Sequence, residues 1–162
     1  MPLKNSDHDW EKSLIHLSPE GIKKLKDELA QLKRALPARI EETARTAAYG
    51  DRSDNAEYKM AKGALRFTHR RILELEDQLK RAVVIPTGED ASGKIHLGST
   101  VRLRAKDGTE RAFRILGPQE ADVAKGFISE KSPLGAGLIG RRRGETVIIQ
   151  TPSGSQEYEI LE

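Results

Sequence analysis

Two runs of apolar residues in heptad spacing, separated by one short polar turn, constrain this chain more than any other feature. The first is Ile22, Leu25, Leu29, Leu32 and Leu36, with steps of 3, 4, 3 and 4. The second is Ala61, Leu65, Thr68, Ile72, Leu75, Leu79 and Ala82, alternating steps of 4 and 3. Such spacing lays one apolar seam along a helix. Two seamed helices joined by a short turn pack as antiparallel neighbours. Ser18 supplies the first N-cap hydroxyl, and Pro19 takes the first helical position, where its missing N–H costs nothing. Pro37 interrupts the first seam and predicts a kink. Helical composition then resumes through Ile40, Ala44, Ala47 and Ala48. The turn opens at Tyr49-Gly50-Asp51, and the second helix is expected over about residues 54–83. Each helix has about 30 residues, which gives an arm on the order of 45 Å long.

Composition fits a long solvated element joined to a small compact one. Of the 162 residues, 36% are hydrophobic and 33% charged, a poor supply for one large core. The pattern changes after residue 85. Segments 101–105, 111–116, 127–129, 146–151 and 157–161 read as strands, and 133–139 as a short helix. Asp107-Gly108 is a hairpin turn signal, and Pro152-Ser153-Gly154 is another turn. The expected organisation is an N-terminal extension at 1–16, a helical arm at 17–85 with its tip at 49–55, a linker at 86–93 and a second domain at 94–162. The fold class is α+β, with a mainly antiparallel sheet in the second domain. Within the extension, only Trp10, Leu14 and Ile15 are large enough to dock.

Several function classes are excluded or disfavoured. The chain has no cysteine, which removes disulfides, thiol catalysis and thiolate-bound zinc. Its histidines, His8, His16, His69 and His96, form no metal-ligand pair. No apolar run approaches the roughly 20 residues that cross a bilayer, and no signal-peptide core is present. A soluble cytoplasmic protein is expected, with no membrane partner.

Two constellations carry chemistry. At the tip, Asp51 and Asp54 place two carboxylates three residues apart. Carboxylates are hard ligands suited to Mg²⁺, which takes one or two of them and keeps several waters. A pair on an exposed tip cannot build a whole catalytic pocket, but it can complete another protein's two-metal site. The competing reading is structural: Asp54 and Glu57 have the spacing of a capping box. The second constellation is basic. Lys59, Lys62, Arg66 and Arg70 are spaced 3, 4 and 4, with Arg71 beside them, and no acid occurs between residues 58 and 73. Such a stripe can follow a phosphate backbone; a solvated helix face is the alternative. Lys33, Arg34, Arg39, Arg45 and Arg52 could extend it. Residues 1–85 hold 17 basic and 14 acidic side chains, against 11 of each in 86–162, so the positive excess belongs to the arm. Arg141-Arg142-Arg143 reads as a solvated turn.

These residues carry a resemblance. The tip Gly50-Asp51-Arg52-Ser53-Asp54-Asn55-Ala56-Glu57-Tyr58 resembles the tip of Gre transcript-cleavage factors, nearest the GreB branch. The run from Ile128 to Gly140 (ISEKSPLGAGLIG) resembles the signature of their C-terminal domain, nearer the GreA branch. Leu17-Ser18-Pro19-Glu20-Gly21 and Thr151-Pro152-Ser153-Gly154 also match, so the likeness runs from about residue 17 to the end. The resemblance implies an antiparallel coiled coil followed by an FKBP-like domain. It implies bacterial RNA polymerase as partner, the C-terminal domain docking at the secondary channel while the arm enters it. The factor itself would be a non-enzymatic monomer with no cofactor bound alone. Its tip acids would help hold Mg²⁺ of the polymerase active site while the extruded 3′ segment of nascent RNA is cleaved. By motif position the tip acids are Asp51 and Asp54 and the docking loop is Lys131, Ser132 and Pro133; the candidate RNA contacts remain those of the charge pattern, Lys59, Lys62, Arg66 and Arg70 with Arg52. The chain departs from the pattern at two of these. Asp54 stands where Glu is usual, one methylene shorter, and Lys131 replaces a residue such as Asp or Asn.

Three functions compete: a cleavage-stimulating factor, a Gre-like regulator that occupies the channel without efficient cleavage, and a free-standing nucleic-acid-binding or scaffold protein. Prolyl isomerisation, which an FKBP-like domain could suggest, is disfavoured because aromatic residues are only 4% of the chain.

Overall fold

In the computed structural model, residues 14–50, 54–88 and 91–162 are described. The order of elements is β1 (Ile15–Leu17), α1 (Pro19–Ala47), α2 (Ala56–Arg81), β2 (Ala82–Val84), β3 (Thr100–Ala105), β4 (Glu110–Leu116), β5 (Phe127–Ser129), α3 (Pro133–Leu138), β6 (Thr146–Thr151) and β7 (Gly154–Ile160). The chain divides into two compact units. One is the helical hairpin, residues 22–82; the other joins residues 1–21 to 83–162. Among the described residues no helix is long and apolar enough to cross a membrane.

In the hairpin, the seam leucines of α1 are half-buried, and Thr68, Ile72 and Leu75 of α2 are buried. Glu28 and Arg71 join the helices through two hydrogen bonds, 2.7 Å from Nε and 3.0 Å from Nη2. Lys33 reaches Glu76 at 2.6 Å. The kink expected at Pro37 does not break the element: α1 runs through it as one helix. Nor does the seam stop. It continues in phase through Arg39, Thr43 and Thr46, half-buried or buried, while Ile40 and Ala44 are exposed. Pro37 lies on the exposed face. Thr46, only 1% exposed, satisfies its hydroxyl by donating to the carbonyls of Glu42 and Thr43. A polar residue can thus take a seam position because the helix backbone supplies its partner.

The hydrogen bonds from Arg71 hold the Glu28 carboxyl below its ordinary value of 4.5. A lowered pKa in the folded state means the pair stabilises the hairpin fully above about 4.5, and the contribution is lost as pH falls through the lower folded value. Acidification below that value is expected to lower the helical melting temperature of the parent more than that of Glu28→Gln. Parallel falls in circular-dichroism melts of the two proteins would rule the linkage out.

The second unit is a five-stranded sheet of order β5-β4-β3-β7-β6, parallel only between β4 and β5. Its inward residues, among them Val101, Leu103, Phe113, Ile115, Ile128, Leu138, Val147, Ile149 and Ile160, form one core. The other face carries ion pairs, Arg104 with Glu110 and Glu159 at 2.9 and 3.2 Å. Asp107 accepts the Thr109 N–H at 2.8 Å and closes the predicted β3–β4 hairpin.

The start of the chain differs from expectation. Ile15, one of the residues large enough to dock, and Leu17, expected to open the arm, belong to one strand. They are buried in β1, which pairs with β2 in a two-stranded sheet. The Ile85 N–H extends the pairing by donating to the Leu17 carbonyl at 2.8 Å. Consequently α2 ends at Arg81, short of residue 83. Ser18 caps α1 as expected, its hydroxyl accepting the Gly21 N–H at 3.0 Å. Its own N–H and hydroxyl donate to the Glu120 carboxylate at 2.7 and 2.5 Å, tying the helix start to the segment after β4.

Candidate site at the hairpin tip

The tip is built by Asn55. Its φ/ψ of −81°/97° is extended, and its Oδ1 accepts the Tyr58 N–H at 3.0 Å, which makes it the N-cap of α2. Its Nδ2 donates to the Thr46 carbonyl at 2.7 Å, near the end of α1, where that carbonyl also accepts the Tyr49 N–H at 3.3 Å. One side chain therefore closes both helix ends. Gly50, at φ +107°, makes the turn out of α1, a conformation that favours glycine.

The capping reading of Asp54 is corrected by this geometry, since the cap sits one residue later. Asp54 is exposed and has no hydrogen bond or ion pair with any other described residue. Asp51 and Arg52 lie outside the described residues. Asn55→Ala is expected to destabilise the hairpin by about 1 kcal/mol, whereas Asp54→Ala should stay within about 0.5 kcal/mol of the parent. Equal losses in thermal melts would return the capping role to Asp54.

The basic stripe is narrower than the sequence suggests. Lys59, Lys62 and Arg66 are exposed and make no ion pair among the described residues. Arg70 is 3.8 Å from Glu74, with its side chain 72% exposed. Arg71 faces α1 and is taken up by Glu28 and Glu74. Lys33 is paired with Glu76, and Arg45 with Glu42 at 2.6 Å, which raises the guanidinium's pKa further. Arg39 is half-buried, leaving Arg34 as the exposed, unpaired described residue among the proposed extensions. The partners that neutralise Lys33 and Arg71 come from the opposite helix, more than 40 positions away in sequence, where single-helix spacing gives no signal.

In the second unit Lys131 is exposed, its backbone N–H donating to Ser129 Oγ at 3.1 Å. Ser132 is the N-cap of α3, accepting the Gly135 N–H at 3.1 Å and donating to the Ser129 carbonyl at 2.6 Å. Pro133 occupies the first turn of α3 and is exposed. The Ser-Pro pair is thus a helix start held against the end of β5, presenting Lys131 and Pro133 outward.

Comparison with known proteins finds a match for each half of the chain. Residues 15–84 match the family described as transcription elongation factor, N-terminal, and residues 90–162 match transcription elongation factor, GreA/GreB, C-term. Transcription elongation factor GreA of Alkalilimnicola ehrlichii is 40% identical over 153 residues, covering 93% of this chain and 97% of that protein. GreA of Brucella canis is 42% identical over 147 residues, covering 90% and 94%. Among solved structures, the transcription factor Gfh1 is similar with a TM-score of 0.44 and 28% identity, covering 91% of this chain and 96% of that one. The factor GreA/GreB from Nitrosomonas europaea gives a TM-score of 0.40 and 22% identity, covering 91% and 97%. With both family domains matched in order and along nearly the whole length, the chain belongs to the GreA/GreB family of transcription elongation factors.

Proposed function

We propose that this elongation factor binds bacterial RNA polymerase through its secondary channel and stimulates cleavage of backtracked nascent RNA. The observation that carries the reading is Asp54: an exposed carboxylate at the hairpin tip with no partner among the described residues, on a helix start fixed by Asn55. With Asp51 it supplies two hard oxygen donors, a set that fits Mg²⁺ when the remaining ligands come from the polymerase. Mg²⁺ in such a site acidifies a water and offsets phosphodiester charge. The chain's own contribution is to hold the two carboxylates there and orient them. Lys59, Lys62, Arg66 and Arg70 contact phosphates of the extruded 3′ segment, and Lys131, Ser132 and Pro133 face the polymerase surface. The factor acts as a cytoplasmic monomer, and the bond-breaking centre belongs to the polymerase.

A second reading rests on the short side chain of Asp54, which reaches roughly 1.5 Å less than Glu. The factor would then occupy the channel and slow nucleotide addition without efficient cleavage. Incubation with a backtracked elongation complex separates the two. Shortened RNA and resumed synthesis are expected; blocked addition with RNA of unchanged length would establish the second reading.

A further inference from the structure

α2 carries a glycine that its packing does not explain. Glycine inside a helix is destabilising relative to alanine, yet a Cβ built at Gly63 meets nothing within 4 Å. On the helix surface its neighbours three and four residues away are Lys59, Met60, Arg66 and Phe67. All four are exposed, Met60 by 77% and Phe67 by 54%. The missing side chain leaves the helix backbone open here, with two exposed cations, a thioether and a phenyl ring one turn away on either side. Arg70 adds a third cation, its guanidinium carbon 6.0 Å from the centre of the Phe67 ring.

We infer that this bare stretch of backbone is a seat for one base of single-stranded RNA. The base stacks on Phe67 beside Met60, its sugar-phosphate passes close over Gly63, and Lys59 and Arg66 take the flanking phosphates. The inference rests on reading the stripe as an RNA contact and deepens it by naming what grips the base. Proteins that hold single strands without sequence preference join a cationic track to aromatic platforms, because every base has a π-face. Charge complementarity favours a polyanion over an apolar protein surface, since no acid interrupts residues 58–73. An exposed aromatic next to bare helix backbone also suits a splayed base better than a stacked duplex.

The test uses the full chain and an unstructured RNA oligonucleotide carrying 2-aminopurine, whose fluorescence is quenched by stacking, with duplex RNA as control. The parent is expected to quench the single strand. Phe67→Ala should weaken binding roughly tenfold and remove the quench, while Phe67→Tyr keeps both. Gly63→Ala should raise the melting temperature yet weaken binding, so the loss cannot be unfolding. Parent protein that never quenches, or Phe67→Ala and Gly63→Ala that bind RNA as the parent does, would overturn the inference. So would an effect confined to polymerase affinity in complexes without extruded RNA, which would make the patch a protein contact. Binding is read without cleavage, so a chain that stacks RNA but stimulates no cleavage would disprove the cleavage reading and leave this one standing.

Discussion

Asp54→Asn is expected to reduce stimulated RNA cleavage on the order of 100-fold, the scale on which losing one positioned group or shifting it by about 1 Å acts. Asp51→Asn should do the same. The exchange removes a charge and an oxygen donor without changing shape, and Asn55 rather than Asp54 closes the helix start. Melting temperature and polymerase affinity should therefore stay at parental values. Single-turnover cleavage at saturating factor reads the chemical step alone. Asp54→Glu, which lengthens the side chain by one methylene, is expected to raise that rate with affinity unchanged. Undiminished cleavage by either Asn variant would remove the metal-holding role.

Gly135→Ala should be strongly damaging in the second unit. A Cβ at Gly135 would lie 2.1 Å from the Ser129 carbonyl oxygen and 2.9 Å from its carbon, both backbone atoms. Neither can move aside as a flexible side chain would, so α3 must shift from the end of β5. Overpacking of this kind costs about 1–3 kcal/mol or more, a fall in melting temperature of roughly 10 °C for a unit of this size. The shift would also disturb the Gly135 N–H to Ser132 bond that fixes the Lys131–Pro133 surface. Polymerase binding is expected to weaken even below the melting transition. A melting temperature unchanged within about 2 °C would show that the helix yields at little cost. Gly135 and Gly63 form a pair of opposites, one demanded by close backbone and the other facing open space.

The hairpin was legible in the sequence because leucines at steps of 3 and 4 mark a helix face without reference to a partner. The reading slipped where the seam turns polar. Hydrophobic periodicity selects Ile40 and Ala44, but Arg39, Thr43 and Thr46 hold the phase, and the backbone bonds that let Thr46 be buried leave no apolar signature. The cap was displaced by one residue because Asp54 and Asn55 are both good cap formers, and only geometry decides between neighbours. β1 and β2 have three residues each, too few to show alternation. The hairpins and core strands of the second unit were readable from Asp107-Gly108 and from the alternation of Val101 and Leu103 or Val147 and Ile149. At the tip, the two proposed carboxylates are visible as residue types, whereas the lack of a partner for Asp54 among the described residues is not, since the cap falls to Asn55.

The pairing of β1 with β2 gives the chain an order of completion during synthesis. β1 leaves the ribosome first, yet its partner strand appears only after 64 intervening residues, and the sheet of its unit closes only with β6 and β7. The hairpin lies between them in chain order and relies on contacts within residues 22–82, so it can assemble while the rest is still being translated. For that interval Ile15 and Leu17 are uncovered on the nascent chain. A ribosome stalled after the hairpin has emerged but before residue 154 would hold a formed hairpin joined to an unfinished second unit.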